Sequence, residues 1–163
     1  MADYLEALKQ GLEAADAAAR ARAEIDAVFT HLDQEIRRGT DEKISIDRRE
    51  LEVIQSGWLA LAVTFPPRPK ETYWAIAAHN PSVAESLVKQ LAKWSQHRRG
   101  YPCKITWGST EYTCEDREAL EGSLAALLRD PLVAEKLRGL MQLEGHAPDN
   151  TAQQDAPADS ESP

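Results

Sequence analysis

The stretch CKITWGSTEYTC, from Cys103 to Cys114, holds both cysteines of the chain, one at each end. Two thiols so placed can form a disulfide, contribute to a metal site or line a core. A two-residue turn at Gly108-Ser109, with glycine in the first central place as type II′ requires, would fix the register. Trp107 then faces Thr110, Ile105 faces Tyr112 and Cys103 faces Cys114. Counted from the turn, 103–114 is a hydrogen-bonded pair, whose Cα separation of about 5.5 Å is compatible with a disulfide. Metal binding needs about four ligands, and no histidine or second cysteine pair stands at zinc spacing. A reducing cytosol argues against a lasting disulfide. The sulfurs share a face with Ile105, Trp107 and Tyr112, while Lys104, Thr106, Glu111 and Thr113 take the other. The pair is therefore read as core thiols.

Other reactive side chains are scattered. His31, His79, His97 and His146 are assigned to a helix, a strand end, a helix end and a tail. His79, before Asn80-Pro81, occupies a place where a catalytic residue can sit, and reads more simply as a solvated loop histidine. The acidic pairs Glu115-Asp116 and Glu50/Glu52 are accounted for by helix capping and by a solvated strand face. Phosphate-cradling, dinucleotide, nucleophile-elbow and zinc-protease motifs are all missing from the sequence. The expectation is a protein that is not an enzyme, with no catalytic, cofactor or metal-binding residues and no cofactor.

One run could recognise anions. Between Glu85 and Glu111 there is no acid, while Lys89, Lys93, Arg98, Arg99 and Lys104 are basic and Trp94 and Tyr101 interleave with them. Basic groups neutralise phosphates and aromatic rings stack on bases, so the segment is a candidate nucleic-acid or anionic-ligand contact. Lys89, Lys93 and His97 stand four apart, one face of a helix. The plainer account is basic residues at a helix C-terminus with Trp94 turned to the core.

The elements that must position these residues begin with a helix over 2–38. Leu5, Leu8, Leu12, Ala15 and Ala19 recur at three- and four-residue steps, and so do Ile25, Val28, Phe29, Leu32 and Ile36. The two stripes are out of phase, with the change in the alanine-rich middle. Arg37, Arg38 and Gly39 end the helix. Unbroken, it would span about 55 Å, against a body roughly 35 Å across. Either it kinks near Gly11 or the alanine run and folds back on its own sheet, or it is an arm that pairs with a second copy, coiled-coil fashion, or with another protein. The phase shift favours the arm, with Leu5, Leu8 and Leu12 as its partner-binding residues.

Strand candidates follow within KISIDRRELEVI (43–54), WLALAVTF (58–65) and ETYWAIAA (71–78), with turns at Ser56-Gly57 and at the proline-stiffened FPPRPKE, which could also offer a polyproline surface. Ser82 and Glu85, at capping-box spacing, predict a helix through Gln96. The cysteine hairpin comes next. Asp116 caps a helix to Arg129, and Asp130-Pro131 opens another to about Gln142. Beyond Glu144 there is no apolar periodicity, and the composition predicts a disordered acidic tail. The fold class is α+β: a long N-terminal helix, an antiparallel sheet of about five strands backed by helices, and the tail. The boundaries are an arm at 1–39, a domain at 40–143 and the tail at 144–163.

The net charge of −8 divides unevenly: the tail holds five acids and no Lys or Arg, leaving −3 on the rest. An imitation of DNA by acidity needs its charge on an ordered surface, which this distribution disfavours. With no apolar run of membrane-spanning length and no secretory or transit signal, the expectation is a cytoplasmic protein without membrane contact. Ala- and Arg-rich usage points to a bacterial, GC-rich source, a mobile element among the candidates. The function expected is non-catalytic: a regulatory or interaction protein that binds a protein partner and self-associates. Two other readings stand beside it, a nucleic-acid accessory protein using the 89–104 segment and an inhibitor of a nucleic-acid-processing enzyme.

Overall fold

A computed structural model describes residues 1–53, 70–83 and 87–143. Its first element, α1 (Tyr4–Gly39), is one uninterrupted helix of 36 residues. Asp3 caps it, its carboxylate accepting from the amides of Leu5 and Glu6 at 3.1 Å, so an anion meets the positive end of the helix dipole. Arg37 and Arg38 occupy the last turn, and the amide of Thr40 closes it on the carbonyl of Ile36. Gly11 does not break the helix.

Among the described residues five strands follow: β1 (Ser45–Glu52), β2 (Thr72–His79), β3 (Lys89–His97), β4 (Gly100–Trp107) and β5 (Thr110–Cys114). They form a single antiparallel sheet in sequence order, β1-β2-β3-β4-β5. Two helices close the described chain, α2 (Arg117–Arg129) and α3 (Pro131–Met141). Asp116 caps α2 and Asp130 caps α3, where Pro131 takes the first helical position, as the sequence predicts. The α+β architecture, with a long first helix and an antiparallel sheet backed by helices, is the one expected.

The expected helix from Ser82 to Gln96 is corrected: residues 89–97 are strand β3. A bulge is the reason. Pairing with β2 shifts between Ile76 and Ala77, so Leu91 and Ala92 are both buried side by side, and Trp94 follows two residues on. That spacing breaks the two-residue alternation of a strand and imitates a helical stripe. The expected strand 59–65, the turn at Ser56-Gly57, most of FPPRPKE, Glu85 of the capping box and the acidic tail lie outside the described residues.

One face of the sheet carries the core. Ile46, Ile76, Ala92, Trp94, Cys103, Ile105 and Cys114 meet Ile25, Val28 and Phe29 of α1, Leu120, Leu124 and Leu127 of α2, and Val133 and Leu140 of α3. Phe29 meets Trp94 edge to face, with centroids 5.1 Å apart. Polar anchors set the helices. Asp33 of α1 accepts from the Ser45 hydroxyl at 2.8 Å and the Ile46 amide at 2.9 Å. Asn80, buried at the end of β2, donates to the carbonyls of Leu140 and Leu143 at 3.0 and 3.2 Å, satisfying groups that α3 leaves open.

The helix also passes close over the β3–β4 turn. Gly100 has φ +97°, and a Cβ there would stand 2.6 Å from the Cβ of Ala21 and 3.1 Å from its carbonyl carbon. Beside this crossing Arg22 donates to the carbonyl of Arg98 at 3.2 Å and the Tyr101 hydroxyl donates to Glu24 at 3.0 Å.

Candidate functional site

The cysteine hairpin has the register read from its turn: Cys103 pairs with Cys114, Ile105 with Tyr112 and Trp107 with Thr110. Gly108 supplies the positive φ, +58°. Trp107 and Tyr112 stack on one face with centroids 4.3 Å apart. Both thiols are free and buried within the core cluster, and Cys114 meets the hydroxyl of Ser123 at 3.4 Å. Burial, then the neighbouring Cys114, push the Cys103 thiol up to about 12 from an ordinary 9.0. This thiol is neutral and unreactive at physiological pH. The sign for stability follows. Above pH 9 the unfolded chain loses this proton while the fold keeps it, so stability falls as pH rises from about 9 toward 12, by up to about 1.4 kcal/mol per pH unit for this group. Urea unfolding at pH 8 and 10 should show a smaller decline for Cys103→Ala than for the unaltered chain.

Among the described residues the remaining reactive side chains do not gather into one site. Arg49 Nη2 lies 3.3 Å from Nδ1 of His79 and also pairs with Asp47. Glu50 accepts from Thr72, and Glu52 pairs with Lys70 at 2.8 Å. His31 sits 3.7 Å from Glu35 on the exposed side of α1, and Nδ1 of His97 accepts the Arg99 amide at 3.2 Å. Asp116 is the α2 cap, as expected. Among the described residues no group of three His, Cys, Asp or Glu side chains could hold a metal ion.

The basic segment is distributed differently from its expected place on one helix. Lys89 and Lys93 lie on β3 and Lys104 on β4, while Arg98 and Arg99 form the turn between these strands. Lys104 is neutralised by Glu111 at 2.8 Å. Trp94 points into the core, and Tyr101 is partly buried against it with its hydroxyl donating to Glu24.

Sequence inspection missed Arg48. Its guanidinium lies 4.5 Å over the ring of Phe29 and 5.4 Å from that of Trp94, donates to Gln96 at 3.0 Å and pairs with Asp26. Beside it opens a cleft of about 600 Å³ edged by Trp74, which is 52% exposed. Arginine in RRELE reads as a solvated strand face. Only the crossing of α1 over the sheet turns it inward.

Among the described residues, Met1, Tyr4, Leu5, Leu8 and Leu12 of the arm are exposed large apolar side chains. Every residue from 1 to 17 is exposed, including Leu5 at 64% and Leu8 and Leu12 at 58% each. The second stripe behaves oppositely: Ile25, Val28 and Phe29 are buried and Leu32 and Ile36 pack on the core. The first half of the helix therefore projects, carrying three exposed leucines. Among the described residues no helix is long and apolar enough to cross a membrane.

The fold and this surface define an α+β domain with a projecting amphipathic helix. Comparison with family models, curated proteins and solved structures finds no match for the chain.

Proposed function

We propose that this is a non-catalytic interaction protein that engages a protein partner through the projecting half of α1. The observation that carries the reading is the exposure of Leu5, Leu8 and Leu12 along one side of an ordered helix that leaves its own domain. An amphipathic helix gains most of its stability from packing its apolar face, and isolated segments of this length are marginal in water. Helix-in-groove and coiled-coil recognition both use anchors at this spacing. A regulatory role in a bacterial cytoplasm is the setting proposed with it.

The test is capture from bacterial lysate with tagged chain, with and without nuclease, comparing the unaltered protein with Leu8→Asp/Leu12→Asp. A specific protein retained after nuclease and lost from the double variant supports the reading. Fold is checked by circular dichroism, and the domain's unfolding midpoint should shift by less than about 0.5 kcal/mol equivalent, because both leucines are outside the core. Capture that vanishes with nuclease, and again when Lys89, Lys93, Arg98 and Arg99 become Glu, would replace this reading by the nucleic-acid one. A retained enzyme of nucleic-acid metabolism, inhibited on binding, would specify the inhibitor reading.

A further inference from the structure

Along the arm Leu5, Leu8, Leu12, Ala15 and Ala19 alternate strictly in steps of three and four, the a and d seam of a two-stranded coiled coil. At 100° per residue this seam stands about a third of a turn away from Ile25, Val28 and Phe29, which the sheet covers. The domain that packs one side of α1 thus leaves the seam open to a second helix. Building on the docking reading of the arm, we propose that the occupant is a second copy of this chain, its arm antiparallel and in one register.

Charge selects both direction and register. With Leu5 as an a position, the e positions include Lys9 and Asp16 and the g positions Tyr4, Gly11 and Ala18. In an antiparallel pair e meets e and g meets g. Setting Leu12 against Ala15 of the second copy, and Leu8 against its Ala19, brings Lys9 beside Asp16 twice by symmetry. Gly11 then meets Ala18, two small residues that let the helices approach. The next antiparallel register, with Leu8 against Leu12, packs leucine on leucine but sets Lys9 against its own copy and is opposed by like charge. A parallel pair matches Lys9 with Tyr4 and Asp16 with Gly11, forming no ion pair, and brings the acidic first turns together.

The ends agree with the middle. In the chosen register the first turn of each arm, with Asp3 and Glu6, lies beside the place where the other helix joins its domain. Arg22 stands there, tied to the Arg98 carbonyl at 3.2 Å; it occupies the next d position, so that Leu5 of the other copy lies against its stem and the acids beside its charge. The antiparallel pairing places the two domains at opposite ends of the paired arms.

The experiment is sedimentation velocity on the purified full chain over a concentration series. The expected species is a dimer that dissociates on dilution. Lys9→Glu and Asp16→Lys should each weaken it roughly three- to thirtyfold, since two exposed pairs are broken at once. The combined Lys9→Glu/Asp16→Lys exchange should restore it to near the original strength. Leu8→Cys should not cross-link to itself under oxidation, its two copies standing about 16 Å apart along the helices. Efficient Leu8→Cys cross-linking, indifference to either charge reversal, or failure of the exchange to restore dimerisation would overturn the antiparallel register. A monomer at every concentration would overturn the second copy as occupant. If lysate capture still depended on Leu8 and Leu12 in that case, the docking reading would stand alone; if it did not, both would fall.

Discussion

Gly100→Ala is expected to destabilise the domain by roughly 2–4 kcal/mol, read as a lower urea midpoint with an unchanged slope. Two costs combine. The backbone at Gly100 has φ +97°, where a side chain costs about 1–2 kcal/mol. The new methyl would also stand 2.6 Å from the Cβ of Ala21 and 3.1 Å from its backbone, so the helix must lift or the hairpin bend. Overpacking of this kind costs typically 1–3 kcal/mol. The crossing is also where α1 changes from covered helix to free arm, so lifting it disturbs Arg22, Glu24 and their partners on the hairpin. Ala21→Gly alone should cost about 1 kcal/mol through helix propensity. Combined with Gly100→Ala it should cost less than the two single changes added, because it removes the shorter contact. A loss under 1 kcal/mol for Gly100→Ala would show that the hairpin does not hold the helix.

Arg48→Ala is expected to cost about 2–3 kcal/mol. The ion pair with Asp26 is the smaller part, since the Asp26 side chain is 65% exposed and such pairs contribute about 0–1 kcal/mol. The larger part is the guanidinium over Phe29 and near Trp94, the hydrogen bond to Gln96 and the packing of its aliphatic stem. The expected sign of this division is a loss that persists at high salt. Arg48→Lys keeps charge without the planar fork and should recover only part of the loss. Arg48→Met, which keeps much of the packing, should recover at least as much. A loss that disappears in high salt would instead assign the contribution to the ion pair.

Local chemistry made much of this architecture readable. Asp116 and Asp130 are followed by helices because their carboxylates satisfy amides that those helices cannot. Gly108 fixed the hairpin register because few residues take its φ, and the alternation of Cys103, Ile105 and Trp107 then assigned the buried face. The two phases of α1 were equally plain, and they correspond to its buried and exposed halves. What was hidden arises from long-range pairing. The β3 bulge depends on Ile76 and Ala77, on another strand, and no window around Leu91 contains that information. In β2, Ala75 through Ala78 are all buried, so alternation is lost there too. Arg48 is inconspicuous in sequence because its surroundings, Phe29, Trp94 and Gln96, come from two other elements. The arm was visible as a candidate, yet whether it projected depended on where the sheet stops, which is a property of the whole fold.

The order of strands has a consequence for synthesis. Each strand pairs with its neighbour in sequence, so the sheet can assemble progressively as the chain emerges, through contacts of modest sequence separation. The helix that covers it emerges first. Ile25, Val28 and Phe29 have no complete surface to pack on until the Gly100 hairpin follows, about eighty residues after Ala21. At about 5–20 residues per second that interval is roughly 4–16 s. For that time the buried stripe of α1 is at most partly covered on the nascent chain, and the projecting arm is already available to a neighbouring chain on the same message before its own domain has closed.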